Sequence, residues 1–176
     1  MVQLTTSIFL ASVLSIATSA ALAQSTAKPT DPQIAHVAYT AGQIDITAAE
    51  LALKKTHDKA VREFGEEMAR DHAAVNKQAL ALVEKLKVTP EDNDISRSLT
   101  AAAASKHEEL SRLNGSAFDK AYAQNEVAYH KTVNGALTTV LIPDATNGEL
   151  KTLLETGLKL FKEHQQHAEH LATHLQ

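Results

Sequence analysis

The sequence predicts an all-α fold: four long helices in a bundle, with an additional crossover helix between the second and third. Three observations carry this expectation. Apolar residues recur at the three- and four-residue spacing of a helix over four stretches of about 24 to 30 residues each. Pro32, Pro90 and Pro143 stand at the edges of those stretches, where helices begin or end. The two-residue alternation of a half-buried strand is absent.

The first helix starts at Asp31-Pro32, a cap followed by proline in the first turn, and runs to about Lys55. The second follows at once, capped by Thr56, and reaches Lys87 before Thr89-Pro90 breaks it. A shorter, alanine-rich helix from about Asp94 to Leu113 ends at the turn signal Asn114-Gly115. The third long helix begins at Ser116, with Asp119 completing a capping arrangement, and stops before Pro143. The fourth opens at Thr146, whose partner Glu149 completes a capping box, and runs to the C-terminus. Two tight connections and one long crossover give the ferritin-like form of the four-helix bundle.

With 176 residues, 44% of them apolar, and a formal net charge of −4, the chain reads as one soluble domain without the basic excess of a nucleic-acid binder. Having no Cys, it can form no disulfide, thiolate nucleophile or thiolate metal site, so a transition metal would be held by His, Asp, Glu or water. No Gly-x-Ser-x-Gly elbow or phosphate-cradling glycine loop is present, which removes hydrolase and nucleotide-binding readings.

Residues 1–27 carry no charged side chain, and an apolar run from about Ile8 to Leu22 ends in Ala21-Leu22-Ala23 before Gln24. The expectation is a signal peptide over residues 1–23, a linker over 24–30 and the bundle over 31–176, with the mature chain in a periplasm. A run of about 16 residues interrupted by Ser12, Ser15, Thr18 and Ser19 is short and polar for a membrane span. Met1 to Thr6 lacks the Lys or Arg usual at the head of such a peptide, leaving the true start of translation open. Without a Cys to carry a lipid, stable membrane insertion is not expected after cleavage.

Three histidines fall on the buried stripes of three different helices. At about 100° per residue, Val61, Phe64, Met68, Val75, Ala79, Leu82 and Leu86 gather around His72. The same count collects Tyr122, Ala123, Val133, Leu137, Val140 and Leu141 around His130, and Leu150, Leu153, Phe161, Ala168, Leu171 and Leu175 around His164. A buried imidazole needs a hydrogen-bond partner or a metal. Asp71 flanks the stripe beside His72 and could orient it, and Tyr122 is expected to pack its ring and hydrogen-bond its hydroxyl. Counting rise from the helix starts puts His72 and His130 level, with Gln43 and Tyr39 of the first helix nearby. It puts His164 with Glu50 and Glu126 in a separate layer about 9 Å along the bundle.

Asp71-His72, then Leu113-Asn114-Gly115-Ser116-Ala117-Phe118-Asp119-Lys120-Ala121-Tyr122, His130 eight residues on, and His164 in the last helix resemble a large family of exported bacterial ferritin-like proteins of unknown function. The resemblance covers about Ile34 to Leu175. Members are often labelled outer-membrane proteins, a label for which this sequence lacks the β-barrel alternation. Lys159 stands where that family's pattern carries Pro shortly before the last histidine. The resemblance implies the fold and the inward residues, and no activity.

Ferritin-like di-iron enzymes take Glu from two helices and Glu-x-x-His from the other two. This chain has no Glu-x-x-His; Glu126-x-x-x-His130 and Glu163-x-x-x-His167 seat the groups differently. The first expectation is therefore a non-catalytic exported bundle binding a divalent transition metal, Zn²⁺ or Cu²⁺ before iron, through His72, His130, His164, Glu126 and Glu50, with Asp71 behind them. The second is a metal-free envelope or stress-response protein whose buried histidines are structural or sense acidity, each satisfied by a carboxylate, a carbonyl or a water. A divergent di-metal oxidase is a distant third. The histidine-rich C-terminus, His164, His167, His170 and His174, is a stripe that could chelate on its own or simply suit the helix dipole. Protein partners are not readable.

Overall fold

The computed structural model describes residues 28–175, so the signal-peptide reading, most of the linker and Gln176 lie outside the described residues. The chain forms α1 (Asp31–Lys55), α2 (Lys59–Leu86), α3 (Asp94–Ser111), α4 (Gly115–Ala136), a π turn (Leu137–Leu141), the short α5 (Ile142–Asp144) and α6 (Gly148–His174). No strand occurs among the described residues. The fold is the expected all-α, ferritin-like four-helix bundle with a crossover helix. Helices α1 and α2 form one antiparallel hairpin and α4 and α6 the other; α2 packs on α6, α1 on α4, and the crossover α3 lies against α1. Among the described residues no helix is long and apolar enough to cross a membrane.

The helix ends depart from the sequence expectation where a side chain finds a distant partner. Asp31 lies inside the first turn rather than capping it. Its carboxylate accepts from Thr146 N (2.8 Å), Thr146 Oγ1 (2.6 Å) and Asn147 N (2.9 Å), tying the start of α1 to the start of α6. With Thr146 so engaged, Asn147 caps α6 through Glu149 N and Leu150 N, and Glu149 pairs with Lys85 instead. The cap of α2 is Asp58, accepting from Val61 N at 3.0 Å, while the buried Thr56 hydroxyl accepts from Asp58 N. Asp119 does not cap α4: it is buried, and its Oδ1 has no partner.

The third long helix also fails to stop before Pro143. Proline cannot donate to the carbonyl four residues back, and the chain widens into the π turn, where Ile142 N bonds to Leu137 O, before continuing through α5. Thr138 and Thr139 return their hydroxyls to Asn134 O and Gly135 O at 2.7 and 2.9 Å.

Two apolar clusters fill the bundle. One contains Ile34, Val37, Val133, Leu137, Leu141, Leu150 and Leu154. The other contains Val61, Phe64, Met68, Leu110, Phe118, Tyr122 and Leu171. On every long helix the residues between the clusters are polar and buried: Asp45 on α1, His72 on α2, Glu126 and His130 on α4, and His164 on α6. On the outside, α1, α3 and α4 enclose a cleft of about 720 Å³, lined mainly by apolar residues such as Leu51, Leu99 and Ala103, whose wall includes Asp45 and Glu126.

Close approach of α1 and α2 depends on Gly42, where an added Cβ would lie 2.2 Å from Asn76 Oδ1. Asn76 is buried and its amide donates to Tyr39 O and Gln43 Oε1, so it has no slack. We expect Gly42→Ala to lower stability by about 1 to 3 kcal/mol in urea denaturation. Gly135→Ala, where the Cβ meets nothing within 4 Å, should instead stabilise by up to about 1 kcal/mol. Equal effects at the two positions would refute this account of the α1/α2 contact.

Candidate metal centre

The buried polar layer is built from one or two side chains per helix. One ring nitrogen from each of His72, His130 and His164 lies within 4.8 Å of the other two, and the ring centroids are 5.3 to 5.7 Å apart. All three residues are 1 to 3% exposed. Asp45 Oδ2 sits 3.3 Å from His72 Nε2 and 3.5 Å from His130 Nε2, close in distance but aligned for a hydrogen bond with neither. Glu126 Oε2 lies 3.7 Å from His130 Nδ1, and His72 stacks on Phe161 with ring centroids 4.6 Å apart.

Neighbours fix the proton on two of the rings. His130 Nδ1 lies 3.0 Å from Glu126 O, a carbonyl that can only accept; Nδ1 therefore carries the hydrogen, and Nε2 turns a free lone pair toward Asp45. His164 Nε2 is 3.2 Å from Asp71 Oδ2. Burial works against ionising Asp71, but hydrogen bonds from Arg70 and His164 outweigh it and hold the carboxyl below its usual range. An ionised carboxylate accepts, so His164 protonates at Nε2 and keeps its lone pair on Nδ1, which is buried without a partner.

Burial suppresses charge throughout the layer. It pushes the Asp45 carboxyl up to about 8, and burial together with the nearby Asp45 charge pushes Glu126 well above the carboxylate range. Burial lowers His130 to about 4 and His164 below its ordinary value. It lowers His72 well below, reinforced by His130 and His164. At neutral pH the layer is a set of neutral imidazoles beside a protonated carboxyl. Many of its polar atoms have no protein partner: both Asp45 oxygens, both His72 nitrogens, Glu126 Oε2, His130 Nε2, His164 Nδ1 and the Tyr122 hydroxyl. Buried polar atoms are ordinarily paired. Convergent nitrogen and oxygen donors left open in this way are what a divalent cation requires.

The structure brings His72, His130, His164 and Glu126 together, and it corrects four expectations about them. The two layers are one, because α4 continues through α5 to Asp144 and α6 begins only at Gly148; the fold-back point moves and His164 becomes level with His130. Glu50 is exposed on α1 and takes no part. Asp71 orients His164, not His72. Tyr122 packs its ring against Phe64 and Phe118, but its hydroxyl finds no partner. The residue the sequence reading missed is Asp45, which is 1% exposed. Its signal was present: Ile34, Val37, Ala41, Asp45, Ala49 and Ala52 run at three- and four-residue spacing, with the acid inside the stripe. Gln43, the residue expected near the histidines, is exposed.

The profile of the domain of unknown function DUF4142 matches residues 17–171. Two solved structures share the fold. One is a secreted DUF305 protein from Streptomyces coelicolor, with a TM-score of 0.70 and 14% identity, the alignment covering 82% of this chain and 93% of that one. The other is CopM in its Cu(II)-bound form, with a TM-score of 0.65 and 12% identity, covering 85% of this chain and 100% of that one. At these identities the likeness shows the fold alone. No match is found among curated proteins.

Opposed titrations in the layer give chelator-treated protein a stability maximum at about pH 6. Below it, unfolding lets His72, His130 and His164 take up protons that the folded chain excludes, so stability falls toward about pH 4. Over the same range Asp45 and Glu126 act in the opposite sense, but once the unfolded imidazoles are mostly charged, three of them outnumber two carboxyls. Above the maximum the carboxyls decide: the folded chain holds the Asp45 proton to about 8, whereas an aspartate in the unfolded chain sheds it near its ordinary value of 3.8, so stability falls as pH rises to 8. Each proton of difference is worth up to about 1.4 kcal/mol per pH unit. Urea midpoints at pH 5, 6 and 8 check this, and a flat profile would contradict it. Asp45→Asn should make the upper limb shallower and, by removing one of the two opposing titrations, the acid limb steeper.

Proposed function

The chain belongs to the DUF4142 family, and from its buried layer we propose that it is an exported, non-catalytic helical-bundle protein that binds one divalent transition-metal ion as a carrier or buffer. The ligands are His72, His130 and His164, with Asp45 and Glu126 supplying carboxylate. The observation that carries this reading is the convergence of three imidazole nitrogens within 4.8 Å in a layer whose donors lack protein partners. Neutral imidazoles are borderline ligands, which favours Cu²⁺ or Zn²⁺ over iron. The layer holds two carboxylates where a di-iron pair in this fold takes four, which argues against the oxidase reading. That one fold neighbour is a Cu(II)-bound protein supports copper, and that the other is secreted supports export, as does the apolar, uncharged run near the start of the chain.

On binding, the metal takes the lone pairs of His130 Nε2 and His164 Nδ1, and Asp45 gives up its proton to become an anionic ligand. Asp71 keeps its bond to His164 Nε2 and so sets the direction of that ring. A second reading is a metal-free protein whose buried histidines are structural or sense acidity; the raised Asp45 carboxyl, which keeps the layer uncharged without a metal, favours it.

Calorimetric titration of tag-free protein with Cu²⁺ and with Zn²⁺ separates the two. We expect one tight equivalent that His72→Ala and His130→Ala each abolish. Saturation to about 100 times Kd should stabilise the fold by about 2.7 kcal/mol, and both variants should lose that gain. Absence of saturable binding would leave the metal-free reading. So would binding unchanged in both variants and lost only when His167, His170 and His174 are replaced.

A further inference from the structure

A second group with metal-ligand chemistry lies on the α2/α6 face, outside the buried layer. Glu67 and Asp71 are one turn apart on α2, and His164 and His167 one turn apart on α6. His167 Nδ1 is 2.6 Å from Glu67 Oε2, and one ligand atom from each of Glu67, Asp71 and His164 lies within 4.8 Å of the others. Side-chain exposure falls steadily through the group, from 42% at His167 and 30% at Glu67 to 19% at Asp71 and 1% at His164. His164 belongs to this group and to the buried trio alike. One imidazole is thus shared by a cluster that reaches solvent and a cluster that does not, and its Nδ1 is buried and unpartnered.

We propose that Glu67, Asp71, His164 and His167 form an outer station for a divalent transition-metal ion, from which the ion passes inward along His164. The transit step rests on the buried-site reading; the outer station does not. Two imidazoles and two carboxylates make a competent ligand set for Cu²⁺ or Zn²⁺. A hydrated ion first meets His167 and Glu67, parting the hydrogen bond between them, and then Asp71, whose carboxylate Arg70 braces with hydrogen bonds of 2.7 and 3.1 Å. At the station His164 ligates through Nε2 as the other tautomer, its ring proton passing by way of water from Nε2 to Nδ1. When the ion moves to the buried trio, the proton returns to Nε2, where Asp71 accepts it, and Nδ1 becomes the ligand.

The probe is Cu²⁺, in a His170→Gln/His174→Gln background that removes the tail pair. Stopped-flow loading of the buried site should slow by about ten-fold or more in Glu67→Gln/His167→Gln, with the equilibrium affinity changed less than about two-fold. With the buried site disabled by His72→Gln/His130→Gln, one weaker Cu²⁺ equivalent should remain, and adding Glu67→Gln/His167→Gln should remove it. Wild-type loading rates in Glu67→Gln/His167→Gln would place access elsewhere, such as the α1/α3/α4 cleft, and overturn the proposal. So would the lack of any residual equivalent in His72→Gln/His130→Gln, or its survival when Glu67 and His167 are also replaced. Failure of the buried-site reading looks different, as no tight equivalent sensitive to His72→Gln/His130→Gln would appear. Should that pair of substitutions prevent folding, the loading rate decides alone, because Glu67 and His167 are partly exposed and lie outside the buried layer.

Discussion

A carboxyl buried at the centre of the polar layer governs this bundle. Asp45 is 1% exposed, and leaving it ionised without a compensating charge would cost several kcal/mol. It therefore keeps its proton to about pH 8, and the imidazoles around it stay neutral for the same reason. Apolar clusters close the layer above and below along the bundle axis, while the cleft between α1, α3 and α4 borders it from the side. The strength of the packing and the openness of the donors are thus one property: the better the two clusters seal, the more the layer gains from any cation able to replace its protons.

The outer partners matter as much as the ligand set. Asp71 stays ionised because Arg70 holds it at the surface, and only an ionised Asp71 fixes the proton of His164 on Nε2. The carbonyl of Glu126 does the same for His130, one helical turn back along its own helix. His72 has no such guide; its ring is positioned by stacking on Phe161 and both its nitrogens are unpartnered. Two rings are aimed by hydrogen bonds and the third by packing.

Helix number, order and the inward histidines were legible because apolar residues recur at helical spacing along the long helices, most strongly in α2 and α6. Axial depth was not, because depth depends on where helices end, and Asp31 and Pro143 each act through partners or geometry that no local pattern announces. Asp31 reads as a cap by sequence but binds Thr146, 115 positions away. Pro143 reads as a stop, yet the π turn carries the helix past it. Asp45 and Glu50 show the same limit from the side of facing. Both are acids on one helix, and only the run from Ile34 to Ala52 tells them apart, since α1 is rich in small residues that blur its buried edge.

The tie between Asp31 and the Thr146-Asn147 corner joins the starts of α1 and α6 at one pole of the bundle, and Lys28 pairs with Asp144 there as well. The last turn of α6, with His170 and His174, ends at the opposite pole, about 40 Å away for helices of this length. Lys28 and the histidine tail therefore stand at opposite poles, so a surface that engages one end of the bundle leaves the other end turned toward the surrounding fluid.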